Sequence, residues 1–143
     1  MNFRQAYLKK TLTFSSLIVL LAILDQLSKY MVRTRGGFYI CNKGIAFGIS
    51  AGSIVFWALV IGVVYFCYQT LNAKLKIADY KFLRLAMVLV VSGAVSNLLD
   101  RLLHGCVIDF IDLSFWPVFN LADIFIVAGA ILIISQQFRK SAA

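Results

Sequence analysis

Between His104 and Phe125 the chain reads HGCVIDFIDLSFWPVFNLADIF and carries three carboxylates, Asp109, Asp112 and Asp123, although 62% of the whole sequence is apolar and only 14% is charged. Asp109 stands in CVIDFID, a β-branched apolar run that favours extended backbone, and apolar surroundings disfavour its ionised form. Asp123 falls where a helix should begin. Asn120, three residues earlier, is a natural cap, and the free N–H groups and dipole of a helix start favour a negative charge. Two carboxyls in opposed environments are the raw material of general acid–base catalysis, one donating a hydrogen bond while the other takes a proton from water. Capping and helix-to-helix hydrogen bonding compete with that reading. Covalent catalysis lacks its parts, since His104 is the single histidine and has no adjacent nucleophile and orienting acid in a triad pattern. Three cysteines without paired spacing and one histidine argue against a zinc centre; no metal and no cofactor are expected.

The remaining polar residues need their own accounts. Asp25 and Lys29 are four apart on one helix face, the spacing of an ion pair, although a lysine near a helix end also reaches solvent by snorkelling. Asn97 and Asp100 share a face three apart. Asp100 at a helix C-terminus opposes the macrodipole and needs a compensating donor, from Arg101 or a neighbouring segment. Asp79 lies among lysines and reads as a solvated charge. Cys41 and Cys106 fall in loops where an oxidising compartment would allow them to pair, but the favoured reading is two isolated, packed cysteines.

These residues must be positioned by membrane helices. Four stretches, approximately 12–32, 53–71, 82–99 and 122–138, have the roughly 20 apolar residues needed to cross a hydrocarbon core of about 30 Å. The expected fold is an all-α membrane protein, one domain over 1–143, with four transmembrane helices and a small extended β element on the outer face. Arg4, Lys9, Lys10, Lys74, Lys76, Lys81, Arg84, Arg139 and Lys140 collect on one side, which the positive-inside rule makes cytoplasmic. Both termini then face the cytoplasm, and loops 33–52 and 100–121 share the outer side with most of the acids. Arg33, Arg35 and Lys43 lie there too, against the rule. The start LTFSSLIVLLAIL has a basic flank but no small-x-small cleavage site, so it reads as a retained helix. The charge of +8 comes without a soluble face of basic and base-stacking residues, which argues against nucleic acid. An ion or proton transporter is disfavoured because no polar series continues through the second and fourth helices; a noncatalytic scaffold would tolerate neutral replacement of its acids.

Five short motifs, in order, give the chain a resemblance to the lipoprotein signal peptidase family, signal peptidase II. They are DQLSK at Asp25–Lys29, NKGIAFG at Asn42–Gly48, NLLDR at Asn97–Arg101, then GCVIDFID and FNLAD. The resemblance implies an intramembrane aspartyl protease of the bacterial cytoplasmic membrane that removes the signal peptide from prolipoproteins, cutting before a cysteine carrying diacylglycerol. Its implied catalytic pair is Asp109 and Asp123. Implied to line or brace the site are Asp25, Lys29, Asn42, Gly44, Ala46, Asn97, Asp100, Arg101, Val107, Phe119, Asn120 and Ala122. The implied partners are the diacylglyceryl prolipoprotein and membrane lipid, and a monomer is expected. Where the family carries GGxxGN this chain reads SGAVSN, with Ser92 and Ser96 replacing two glycines; the expectation is altered helix fit with function retained.

Overall fold

The computed structural model describes residues 3–44, 61–62, 65 and 77–141. The expected helix over 53–71 lies almost wholly outside these residues, as does Ala46; positions 61, 62 and 65 are helical. The described chain forms α1 (Phe3–Thr34), β1 (Ile40–Asn42), α2 (Ile77–His104), β2 (Val107–Asp109) and α3 (Leu121–Ser141). Each helix runs beyond its expected limits, because hydropathy marks only the part that matches a hydrocarbon core while backbone hydrogen bonding continues past it. Two segments, Thr13–Thr34 and Phe82–His104, are long and apolar enough to cross a membrane; Leu121–Gln136 is a shorter apolar helix.

Burial runs opposite to that of a water-soluble domain. Val19, Leu20, Ile23, Leu24 and Leu27 are exposed on α1, whereas Asp25, Lys29, Ser96, Asn97, Asp100, Asp109 and Asn120 are buried. That pattern suits a solvent as apolar as leucine, in which polar side chains satisfy one another inside. No buried side-chain nitrogen or oxygen among the described residues lacks a hydrogen-bond partner.

Close packing of α2 on α3 depends on two glycines that face in opposite directions. A side chain at Gly93 of α2 would overlap the Ala122 carbonyl, and one at Gly129 of α3 would come within 2.7 Å of the Ala86 carbonyl. Small residues at such crossings let backbones approach without lipid between them. Gly105 ends α2 in the left-handed region at φ 72°, its N–H donating to the Arg101 carbonyl at 3.1 Å. This C-cap turns the chain straight into β2.

The two short strands pair antiparallel in the register Ile40↔Asp109, Cys41↔Ile108 and Asn42↔Val107. A further bridge, Ile111↔Phe119, folds the following loop back towards the start of α3. The reading of Cys41 and Cys106 as isolated cysteines is corrected: they form a disulfide, with Cα atoms 5.4 Å apart. Sequence separation of 65 residues concealed the pairing; the β1–β2 register supplies it by bringing Cys106, just before β2, opposite the end of β1.

Candidate active site

Asp109 ends β2 and Asp123 occupies the third position of α3. Asn120 joins them. The Asp123 backbone N–H donates to Asn120 Oδ1 at 3.0 Å, and the Asn120 backbone N–H donates to Asp123 Oδ2 at 3.2 Å, a reciprocal capping box with aspartate in the place of glutamate. With Oδ1 committed to the cap, Asn120 Nδ2 must face the other way, where it donates to Asp109 Oδ1 at 2.6 Å. One amide therefore starts the helix and ties its acid to the strand's acid.

Each carboxyl has a second amide donor. Asn42 Nδ2 donates to Asp109 Oδ2 at 2.8 Å, reaching across from β1. Asn97 Nδ2 donates to Asp123 Oδ1 at 2.8 Å from α2. Burial pushes the Asp109 carboxyl above the ordinary carboxylate range, and the nearby Asp123 charge adds to it, while the hydrogen bonds from Asn42 and Asn120 pull the other way.

Lys29 anchors this frame from α1. Its Nζ lies 2.6 Å from Asp25 Oδ2 and 2.9 Å from Asp100 Oδ2, and donates to Asn97 Oδ1 at 2.9 Å. That last bond orients Asn97, leaving its amino group for Asp123. Lys29 is 2% exposed, so the snorkelling alternative does not hold: two carboxylates and an amide replace the water a buried ammonium would lose. Asp25 also accepts from the Ala122 backbone N–H at 2.9 Å and from Ser96 Oγ at 2.7 Å, linking α1, α2 and the first turn of α3. Asp100 accepts from Gln26 Nε2 at 2.8 Å and from the Ile108 N–H at 3.0 Å, pinning β2 to the end of α2. The compensation that Asp100 requires against the helix dipole thus comes from neighbouring segments. Arg101 Nη2 instead donates to the Gly44 carbonyl at 2.9 Å, fastening the chain just after β1.

The sequence matches the Signal peptidase (SPase) II family over residues 17–139. The chain belongs to the signal peptidase II family. Among its relatives named lipoprotein signal peptidase, that of Moorella thermoacetica is 40% identical over 141 aligned residues, covering 86% of this chain and 91% of the relative. That of Brucella ovis is 38% identical over 155, covering 92% and 94%. A solved bacterial membrane enzyme is similar in structure, with a TM-score of 0.71, 32% identity and coverage of 90% of this chain and 89% of its own.

Of the residues that the signal peptidase II motifs singled out, Asp25, Lys29, Asn42, Gly44, Asn97, Asp100, Arg101, Asn120, Ala122, Asp109 and Asp123 belong to this one connected network. Val107 is buried in β2 opposite Asn42. Phe119 contributes through its backbone: its carbonyl accepts from the N–H groups of Phe110 at 3.0 Å and Ile111 at 2.8 Å. Gln26 and Ser96 were not foreseen as members. Gln26 Nε2 also donates to Ser96 Oγ at 3.0 Å, and the available signal was an amide and a hydroxyl inside apolar helices, where each needs a partner.

Proposed function

We propose that this chain is an aspartic endopeptidase that removes the signal peptide from diacylglyceryl-modified prolipoproteins, cutting just before the modified cysteine. The observation that carries the reading is the Asn120 bridge, which holds two acids from separate elements in one site where each keeps hydrogen bonds from amides. Two such carboxyls titrate as a coupled pair, one proton shared between them. In the proposed reaction the ionised member takes a proton from water as the water attacks the scissile carbonyl. The protonated member donates to the developing oxyanion and later delivers a proton to the leaving amine. No acyl-enzyme forms, and Asn42, Asn97 and Asn120 keep the acids in place without titrating.

The membrane setting completes the proposal. Four helices cross the bacterial cytoplasmic membrane as one domain, both termini are cytoplasmic, and the acid pair lies near the outer face, with the monomer sufficient. Exposed Phe115 and Trp116, in the loop between the Ile111↔Phe119 bridge partners, suit the headgroup level. A signal peptide delivered as a helix must be unwound at the scissile bond, because helical backbone groups are paired. Two acyl chains on the neighbouring cysteine, each buried methylene adding about 0.8 kcal/mol, hold that bond at the depth of the acids. The test is cleavage of lipidated and unlipidated prolipoprotein at matched membrane-bound concentration, with Asp109→Asn and Asp123→Asn beside the parent. Cutting of the lipidated form by the parent alone is expected; equal cutting of both forms, or turnover in either well-folded variant, defeats the reading.

A further inference from the structure

A second polar feature lies at the outer ends of α1 and α2, away from the acid pair. A cavity of about 450 Å³ opens there, lined by Tyr30, Arg33, Tyr39 and His104, with Lys29 and Asp100 also on its wall. Arg33 Nη1 lies 2.7 Å from His104 Nε2. Because guanidinium only donates, Nε2 is the acceptor and the ring proton belongs on Nδ1. Arg33 has no carboxylate within ion-pairing distance among the described residues, the ion pairs there being those of Lys29. The hydroxyls of Tyr30 and Tyr39 likewise have no hydrogen bond among the described residues. The cavity thus gathers an uncompensated cation, a histidine N–H and two phenolic O–H groups, a donor-rich set with the chemistry of a phosphate site. Lys29 brings no free charge, since Asp25 at 2.6 Å and Asp100 at 2.9 Å share it; this inner wall carries a surplus negative charge, so the phosphate must sit at the outer end of the cavity, on Arg33, His104 and the two hydroxyls.

We propose that this cavity binds the phosphate headgroup of an anionic phospholipid. Leu27 and Met31 on α1 and Leu103 on α2 are exposed on the same helix ends, an apolar surface flanking the cavity on which acyl chains can lie. Tyrosines at that level suit the boundary between hydrocarbon and headgroups. The site also accounts for Arg33, a basic residue on the side that the positive-inside rule leaves poor in base, since a bound lipid anion supplies the charge it lacks. Nothing in this site touches Asp109 or Asp123, so lipid binding survives in an Asp109→Asn chain even if the proposed proteolysis does not.

The test is native mass spectrometry and thermal unfolding of the purified full chain in detergent, titrated separately with phosphatidylglycerol, dioleoylglycerol and inorganic phosphate. One phosphatidylglycerol per chain is expected, with no binding of diacylglycerol and none of phosphate at matched concentration. Arg33→Gln should weaken the lipid about tenfold, the scale of one charge-assisted contact. Tyr39→Phe, which keeps the ring, should weaken it by a smaller factor, and Arg35→Gln should leave it unchanged, since Arg35 is exposed outside the cavity. Equal weakening by Arg33→Gln and Arg35→Gln would reduce the effect to diffuse surface charge, and phosphate binding as tightly as the lipid would leave the acyl chains without a role; either overturns the proposal.

Discussion

Replacing Asn120 with aspartate separates the two jobs of the bridge. Aspartate caps a helix as well as asparagine does, so the Asp123 N–H keeps its acceptor and α3 keeps its start. The atom that changes is Nδ2, which donates to Asp109 Oδ1 at 2.6 Å and to Asn97 Oδ1 at 3.2 Å. An oxygen there faces two acceptors. Losing a hydrogen bond to an ionisable group costs about 1.5–3 kcal/mol, which predicts turnover at neutral pH roughly ten- to a hundredfold below the parent. The new carboxyl is favoured in its protonated form, because only then does it donate to Asp109. Its folded-state pKa therefore rises above the unfolded value of about 4. The stability it contributes is full below that unfolded value and is lost as pH rises through the raised one. Asn120→Asp should consequently recover both turnover and melting temperature towards the parent as pH falls from 7 to 5, whereas Asn120→Ala, lacking cap and donor, should recover neither. Lipoprotein cleavage and thermal unfolding measured across that range decide it. A parental rate and parental pH profile in Asn120→Asp would refute the assignment of Nδ2 as the donor that organises the acid pair.

Other consequences follow from the same network. Lys29→Met leaves Asp25 and Asp100 buried without their cation and should cost about 3–5 kcal/mol in detergent unfolding; a change under 1 kcal/mol would mean that the ammonium is dispensable. Ser96→Gly removes the hydroxyl that donates to Asp25 and should destabilise by about 1–3 kcal/mol, more than Ser92→Gly, whose hydroxyl among the described residues bonds the Leu89 carbonyl of its own helix; equal effects in unfolding would remove Ser96 from the site. Reducing the Cys41–Cys106 disulfide should lower turnover about two- to tenfold by loosening the hold of Asn42 on Asp109, and a Cys41→Ala/Cys106→Ala chain should show the lowered rate with no further response to reductant. An unchanged rate in both would show that the β1–β2 ladder holds Asn42 unaided.

Local chemistry was readable along the chain because it depends on neighbours in sequence. Asn120 three before Asp123 announced the cap, CVIDFID announced extended backbone at Asp109, and the four-residue spacing of Asp25 and Lys29 announced their ion pair. Long apolar runs separated by charged segments marked membrane helices, although helix ends were set by backbone bonding that hydropathy does not record. Partners drawn from different elements were hidden, since nothing in the spacing of Lys29, Asn97 and Asp100 says that one ammonium meets all three acceptor groups at Asp25, Asp100 and Asn97. The same holds for Ser96, which reads as a small packing residue until α1 is laid against α2 and its hydroxyl finds Asp25. Cys41 and Cys106 read as isolated until a three-residue strand pairing brings them together. The acids and their immediate caps were therefore written in the sequence, while the orientation of each amide that holds them depends on contacts between α1, α2, α3 and the two strands, which only close packing in three dimensions creates.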